Sequence, residues 1–399
     1  MNRRQFLLAA AATAAAPMLT FSSRLFAAPP GSPHFLLVFL RGGYDCNNLL
    51  VPYGSDFYYA SRPTLAIARP DPGNPESAVA LDADWGLNPV VRDALLPLWQ
   101  RRQLAFVPFA GTTDLSRSHF ETQDHIERGE PDGMGTDYRS GFLARLSKVL
   151  TGVPAIAFTN ELPLSFQGAG HDIPNISLRA NPRAGFNPRQ SAILAGMYKG
   201  TPLAAATADG LALPRSLSAD LRDEMVRASR GAPGPNNFAM ETRRIATLMR
   251  DTYRLGFVDV GGWDTHVSQG STSGGLANNL HNLSAGLAAF ADTMGSDWND
   301  TVVVVLSEFG RTFRENGDHG TDHGHGTVHW VLGGKVAGGR LAGEQLAVTQ
   351  PNLLQNRDYP VLNNYRDTLG GLFRRMWGLN ESQLQKVFPR AKPRDLGLV

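Results

Sequence analysis

The chain has 399 residues, 42% hydrophobic and 19% charged, enough apolar matter for one large core and too much for a disordered chain. The formal net charge of +2 becomes −1 once the segment carrying Arg3, Arg4 and Arg24 is set aside, so charge gives no argument for nucleic acid as a partner. The single cysteine, Cys46, excludes an intrachain disulfide and a cysteine-rich zinc site.

Residues 1–28 begin with a basic head, Arg3-Arg4-Gln5-Phe6-Leu7, followed by an alanine- and leucine-rich stretch to Phe21 and small residues before Pro29-Pro30. This is the pattern of a twin-arginine signal peptide, with Ala27 or Ala28 as its last residue, and it predicts a periplasmic or secreted protein. The stretch is weakly hydrophobic, which favours a leader over a membrane anchor, and no later stretch is apolar enough to span a bilayer. Residues 30–399 are expected to form a single domain with surface excursions.

Residues 34–40 (HFLLVFL) form an unbroken apolar run, the mark of a strand buried on both faces. Asp45 follows just past its carboxyl end, beside Gly42 and Gly43. Residues 53–75 are rich in Tyr, Pro and Gly and read as an irregular excursion. Residues 88–103 carry Val91, Leu95, Leu98 and Trp99 on one helical face, and 104–109 form the next strand. The loop 111–120 contains Ser116-Arg117-Ser118-His119-Phe120, and a helix is expected through 123–127. A serine at a strand–helix turn is either a nucleophile or an N-cap, and from the serine alone the cap is favoured.

Residues 153–157 read as a further strand, 168–188 and 200–214 as polar or Ala/Gly/Pro-rich surface excursions, and 231–237 (GAPGPNN) as a break. The helix 238–255 (Phe238, Ile245, Met249 and Tyr253 on one stripe) feeds the strand 256–260. Asp264 and His266 follow, two apart in an extended segment and so on one side, where both can ligate one metal. Leu276, Leu280, Leu283, Leu287, Phe290 and Met294 recur at steps of four and three, an amphipathic helix that stops at Gly295. The strand 302–306 completes a βαβ unit, so its strand and 256–260 should be parallel.

That last strand ends at Glu308, where open α/β sheets bind ligands. The loop beyond it holds His319, Asp322, His323, His325 and His329, interleaved with Gly317, Gly320, Gly324 and Gly326. Glycines let a backbone fold around a small centre, and imidazole with carboxylate suits a divalent metal, zinc above all. Residues 364–377 form a closing amphipathic helix.

The blocks LRGGYDCNNLLVP, SRSHFETQDHIERG, GGWDTH, SEFGRT and GTDHGHG, with the flanking GLNPVVRDALLPLW and YPVLNNYRDTL, cover nearly all of the chain after the leader. They resemble a twin-arginine-exported family, domain of unknown function 1501. It is placed in the alkaline phosphatase-like superfamily with sulfatases and metal-dependent phosphoglycerate mutases. The resemblance implies an α/β fold with a largely parallel central sheet and helices on both faces. It implies that Asp45 binds one metal, that Asp264 and His266 bind another, and that Ser118 stands where the nucleophile does. In the superfamily the strand ending here in Glu308-Phe309 ends in Asp-His, so one histidine is missing. His323 would substitute for it and leave His325 as the late ligand, or His119 would supply the imidazole. This leaves one or two ions open. The Cys-x-Pro-x-Arg signature of formylglycine sulfatases is absent.

Two functions fit. One is a metal-dependent hydrolase of phosphate or related sulfate or phosphonate esters, small or polymeric, with Arg311 or Arg117 clamping the equatorial oxygens. The other is a non-catalytic exported protein, either a metal-binding module or a partner of another envelope protein.

Overall fold

The computed structural model describes residues 32–131, 138–170, 172–177 and 226–399. The expected leader, the 200–214 excursion and most of the 168–188 excursion lie outside the described residues.

Eight strands form the main sheet: β1 His34–Leu40, β2 Leu104–Gly111, β3 Ala155–Phe158, β4 Leu255–Val260, β5 Thr301–Ser307, β6 Thr327–Leu332, β7 Arg340–Leu341 and β8 Asn363–Asn364. Their order is β7-β2-β6-β5-β1-β4-β3, with β8 also paired to β2. All pairings are parallel except those of β6, which runs antiparallel to β5 and β2. A second sheet of three short strands lies in the 50–87 region.

The apolar runs form central strands because both of their faces are covered. Leu36, Val38 and Leu40 of β1 point into one hydrophobic cluster, and Phe35, Leu37 and Phe39 into the other. The principal helices are α1 Arg92–Gln100, α2 His119–Arg128, α3 Phe142–Val149, α4 Phe238–Asp251, α5 Gly275–Met294, α6 Tyr365–Trp377 and α7 Glu381–Val387. Leu95 and Leu98 of α1, Ile245 of α4 and Leu283 of α5 fill the first cluster. Leu146 of α3, Phe373 of α6 and Leu384 of α7 fill the second. Burial of each such side chain contributes about 1.5–3 kcal/mol, so the two-sided core dominates the stabilising side of the balance.

β4 and β5 are parallel, as the βαβ reading requires, but β1 lies between them. Leu40 of β1 stands opposite Val260 of β4 and Ser307 of β5. Three adjacent strands therefore release residues 41–48, 261–266 and 308–311 at one sheet edge. β6 replaces the end of the expected glycine- and histidine-rich loop: His329 is a buried strand residue opposite Val107. Its loop-like prelude concealed a short alternation that pairs only with distant chain.

Candidate metal centre

After β1 the chain turns through Gly42, whose φ of 123° favours glycine, and a Cβ there would lie 2.6 Å from the Asp264 nitrogen. That close approach brings the β1 and β4 ends together. The Gly42 N–H also donates to Glu308 Oε1 at 2.8 Å, which ties in the end of β5. The glycine-rich loop folds back over the same edge. A Cβ on Gly320 would lie 2.2 Å from the His266 carbonyl oxygen, so only glycine allows that packing.

Four side chains converge here. His119, Asp264 and His323 offer donor atoms within 4.8 Å of one another. His119 Nε2 lies 2.9 Å from His323 Nε2 and 3.5 Å from Asp264 Oδ1. His266 joins through two of them, its Nε2 being 3.0 Å from His323 Nε2 and 2.9 Å from Asp264 Oδ1. His323 Nε2 is 3.4 Å from the same carboxylate oxygen. The other oxygen, Asp264 Oδ2, is buried without a hydrogen-bond partner.

The hydrogen bonds behind the rings set their tautomers. His119 Nδ1 faces Glu308 Oε1 at 2.8 Å, His323 Nδ1 faces the Arg117 carbonyl at 3.1 Å, and His266 Nδ1 faces Asp322 Oδ1 at 3.3 Å. A carbonyl or an ionised carboxylate only accepts, so each Nδ1 carries the hydrogen. A ring in its neutral form then aims an Nε2 lone pair at the shared centre. Arg311 Nη1, which can only donate, lies 3.5 Å from His266 Nε2 and agrees with this tautomer. Three lone pairs and a carboxylate oxygen repel one another unless a cation joins them. Three imidazoles and one carboxylate are a donor set for zinc, and an edge of about 3.4 Å is expected for a tetrahedron with metal bonds of about 2.1 Å. His119, Asp264 and His323, at 2.9–3.5 Å from one another, match that edge, and His266 is within such an edge of Asp264 and His323 only. A carboxylate behind a histidine Nδ1, as Glu308 is here, is the usual support for a metal-binding ring.

The family model described as a protein of unknown function (DUF1501) matches residues 32–388. The chain belongs to the DUF1501 family. A search of curated proteins found no match. Solved structures resemble it loosely. One is a protein in the alkaline phosphatase superfamily from Vibrio parahaemolyticus, with 12% identity, 94% of this chain and 75% of that one covered, and a TM-score of 0.41. The lipoteichoic acid synthase LtaP of Listeria monocytogenes gives 10% identity, 94% and 77% coverage and a TM-score of 0.39. The soluble domain of the Neisseria meningitidis lipooligosaccharide phosphoethanolamine transferase A gives 12%, 76% and 78% coverage, and 0.33.

In this DUF1501 chain three expected ligands stand elsewhere. Asp45 is fully buried, but both its oxygens are taken. Arg62 Nη1 and Nη2 reach them at 2.5 and 3.0 Å, Gln269 Nε2 donates at 2.6 Å, and the Asn47 N–H at 3.2 Å. Asp45 is thus the partner of a buried arginine rather than one of the converging donors. Glu308 sits one residue behind the centre, accepting from His119, Gly42 and Gln123 on Oε1 and from Ser307 on Oε2. His325 is buried and its carbonyl accepts the Gly310 N–H, but it is not among the clustered donors. His119, His266, His323 and Asp264 remain.

The expected clamps and nucleophile also have other partners. Arg311 is 1% exposed and donates to the carbonyls of Gly42, Gly43, Trp263 and Thr321 and to Asp264, so its fork is spent within the protein. Arg117 is held by Asp358 and Gln355. Ser118 caps α2, its hydroxyl oxygen accepting from the Glu121 N–H at 3.5 Å. Phe309, the residue after Glu308, packs its ring 4.8 Å from His119 and 5.2 Å from His323. The sequence carried no signal for Arg62, a lone arginine in an irregular stretch, or for Gln123 and Gln269, whose partners are remote in the chain.

Charge at the centre is uneven. Burial would raise Asp264, but Arg311 and the three histidines outweigh it and hold the carboxyl well below the usual range. Burial also opposes the His119 charge, yet hydrogen bonds to Asp264 and Glu308 raise the ring to about 9. Glu308 falls to about 2 because its bond to His119 and that ring's charge overcome its burial. In metal-free protein, a proton on His119 therefore stands in for the cation. A folded pKa above the unfolded value of about 6.5 stabilises the protein fully below about pH 6.5, and that contribution is lost as pH rises through about 9. Thermal melts of chelator-treated protein should show this alkaline loss, on the order of 3 kcal/mol, and zinc should abolish it. Parallel pH profiles with and without zinc would remove the proton-for-metal account.

Proposed function

We propose that this protein is an exported, metal-dependent hydrolase of phosphate or related esters, built on one divalent ion, zinc, held by His119, His266, His323 and Asp264. The observation that carries the metal is the convergence of three Nε2 atoms on the Asp264 carboxylate, with Oδ2 buried and unpartnered. Ester chemistry rests on the motif resemblance. When bound, the ion supplies Lewis-acid polarisation of an ester oxygen and a lower pKa for attacking water. The residues do the rest. Glu308, Asp322 and the Arg117 carbonyl orient the three rings. Phe309 excludes water from the His119 and His323 faces. His266 and His323, with side chains 12% and 16% exposed, mark the side from which substrate enters. With Ser118 serving as a cap, water is the expected nucleophile, so Ser118→Ala should keep turnover.

The second reading, a non-catalytic metal-binding protein, is favoured by one feature: Arg311, the expected clamp, spends its donors within the protein and has none left for a substrate. Export is supported by Arg3-Arg4 and the apolar stretch after them. Among the described residues no helix is long and apolar enough to cross a membrane. One experiment tests the whole proposal. Protein recovered from the periplasm should carry about one zinc per chain and cleave a member of a broad phosphate, phosphonate and sulfate ester panel. The Arg3→Lys/Arg4→Lys chain should stay in the cytoplasm. Zinc without any turnover selects the second reading, and folded protein without metal ends both.

A further inference from the structure

Arg117 has an unusual backbone. Its φ is 53°, the left-handed region that side-chain-bearing residues rarely occupy. Two features surround that strain. The Arg117 guanidinium is fastened to a loop on the far side of the sequence: Nε donates to Asp358 Oδ2 at 2.9 Å, Nη2 lies 2.6 Å from the same oxygen, and Nη2 donates to Gln355 Oε1 at 2.8 Å. The Asp358 side chain is 0% exposed. The Arg117 carbonyl accepts from His323 Nδ1 at 3.1 Å. Two residues on, His119 opens α2 and turns its Nε2 to the same centre. One residue thus joins a buried anchor, a strained backbone and two of the converging rings.

The geometry points to Arg117 as a positioning residue of the metal centre: its ion pair with the buried Asp358 holds residue 117 in the left-handed conformation, so that its carbonyl fixes the His323 ring and its chain direction delivers His119. This rests on the metal reading above and gives Arg117 a role other than binding substrate. The physical logic is that a left-handed backbone at a residue with a side chain persists only where surrounding contacts over-determine it. A side chain anchored on a buried carboxylate is such a contact.

The test compares zinc affinity, read by chelator competition, and the visible spectrum of the cobalt-substituted protein in wild type, Arg117→Ala, Arg117→Gly and Asp358→Asn. Loss of outer support at metal sites typically weakens binding by about 10–100-fold, and that loss is expected for Arg117→Ala and Asp358→Asn, with a changed cobalt spectrum. Arg117→Gly should bind zinc more tightly than Arg117→Ala, because glycine takes the left-handed conformation without the anchor. A structural ion pair alone would lower melting temperature in these variants and leave affinity and spectrum unchanged, and that result overturns the proposal. If Arg117→Ala does not fold, Arg117→Gly and Asp358→Asn decide by the same readouts. Wild-type protein that takes no zinc refutes the metal reading itself and this role with it. Zinc-binding wild type with unaltered variants refutes only the role.

Discussion

Replacing Asp264 by alanine should remove the metal and destabilise the fold by about 3–5 kcal/mol, the cost of leaving one member of a buried ion pair without its partner. The pair in question is Asp264 with Arg311, side chains 1% and 0% exposed. Arg311 keeps four carbonyl acceptors in the variant, but none is charged. Asp264→Asn separates the two effects. It preserves shape and an acceptor for Arg311, so most of the stability should survive, while the anionic donor is gone and zinc affinity should fall by at least about tenfold. Denaturant unfolding of chelated protein reads the first effect, and chelator competition reads the second. His266→Ala is the control: its ring is at the partly exposed rim, so metal should be lost with much less damage to the chelated protein. Stoichiometric zinc in folded Asp264→Ala would refute the donor assignment.

Arg62→Met should be as damaging to stability, again about 3–5 kcal/mol, yet leave zinc binding intact in the protein that folds. Arg62 and Asp45 are both fully buried, and the guanidinium meets the carboxylate two-pronged. Its remaining donors serve Asn48 and the carbonyls of Thr312 and Phe313, so it fastens the chain after β1 to the chain after β5. Methionine fills the volume but leaves Asp45 charged and buried. The metal readout decides between this structure and the expectation that Asp45 is a ligand. A ligand freed from Arg62 should bind metal more tightly or add a second ion. A structural anion should change only stability. Asp45→Asn with unchanged zinc stoichiometry would agree with the structural role, and loss of the ion would restore Asp45 to the ligand set.

Part of the centre was legible in the chain. Asp264 and His266 follow a buried strand two residues apart, which puts both on one side whatever the fold. His323 lies in a glycine-rich loop beyond another such strand, and the motif around Ser118 offers His119 as a source of the missing imidazole. Strand ends at one sheet edge are not equivalent in the partners they meet. Asp45 and Glu308 do emerge at the same sheet edge as Asp264, as expected, but being at an edge does not settle which partner a carboxylate meets. Arg62 claims Asp45 and His119 claims Glu308 from the opposite side of the ring.

The sequence by itself determined the elements: apolar runs of five to seven residues can be stable only with both faces covered, and steps of three and four leave a helix one buried stripe. It thereby determined a largely parallel α/β sheet with helices on both sides and a polar edge rich in histidine. Only the tertiary structure decided which carboxylates face histidines and which face arginines. Those choices are made between residues such as Asp45 with Arg62, Asp264 with Arg311, and Arg117 with Asp358. A buried charge must find an opposite charge or a donor within a few ångströms. Which one it finds depends on how close glycines such as Gly42 and Gly320 let the backbone come. That distance is a property of the packed chain, and no local pattern encodes it.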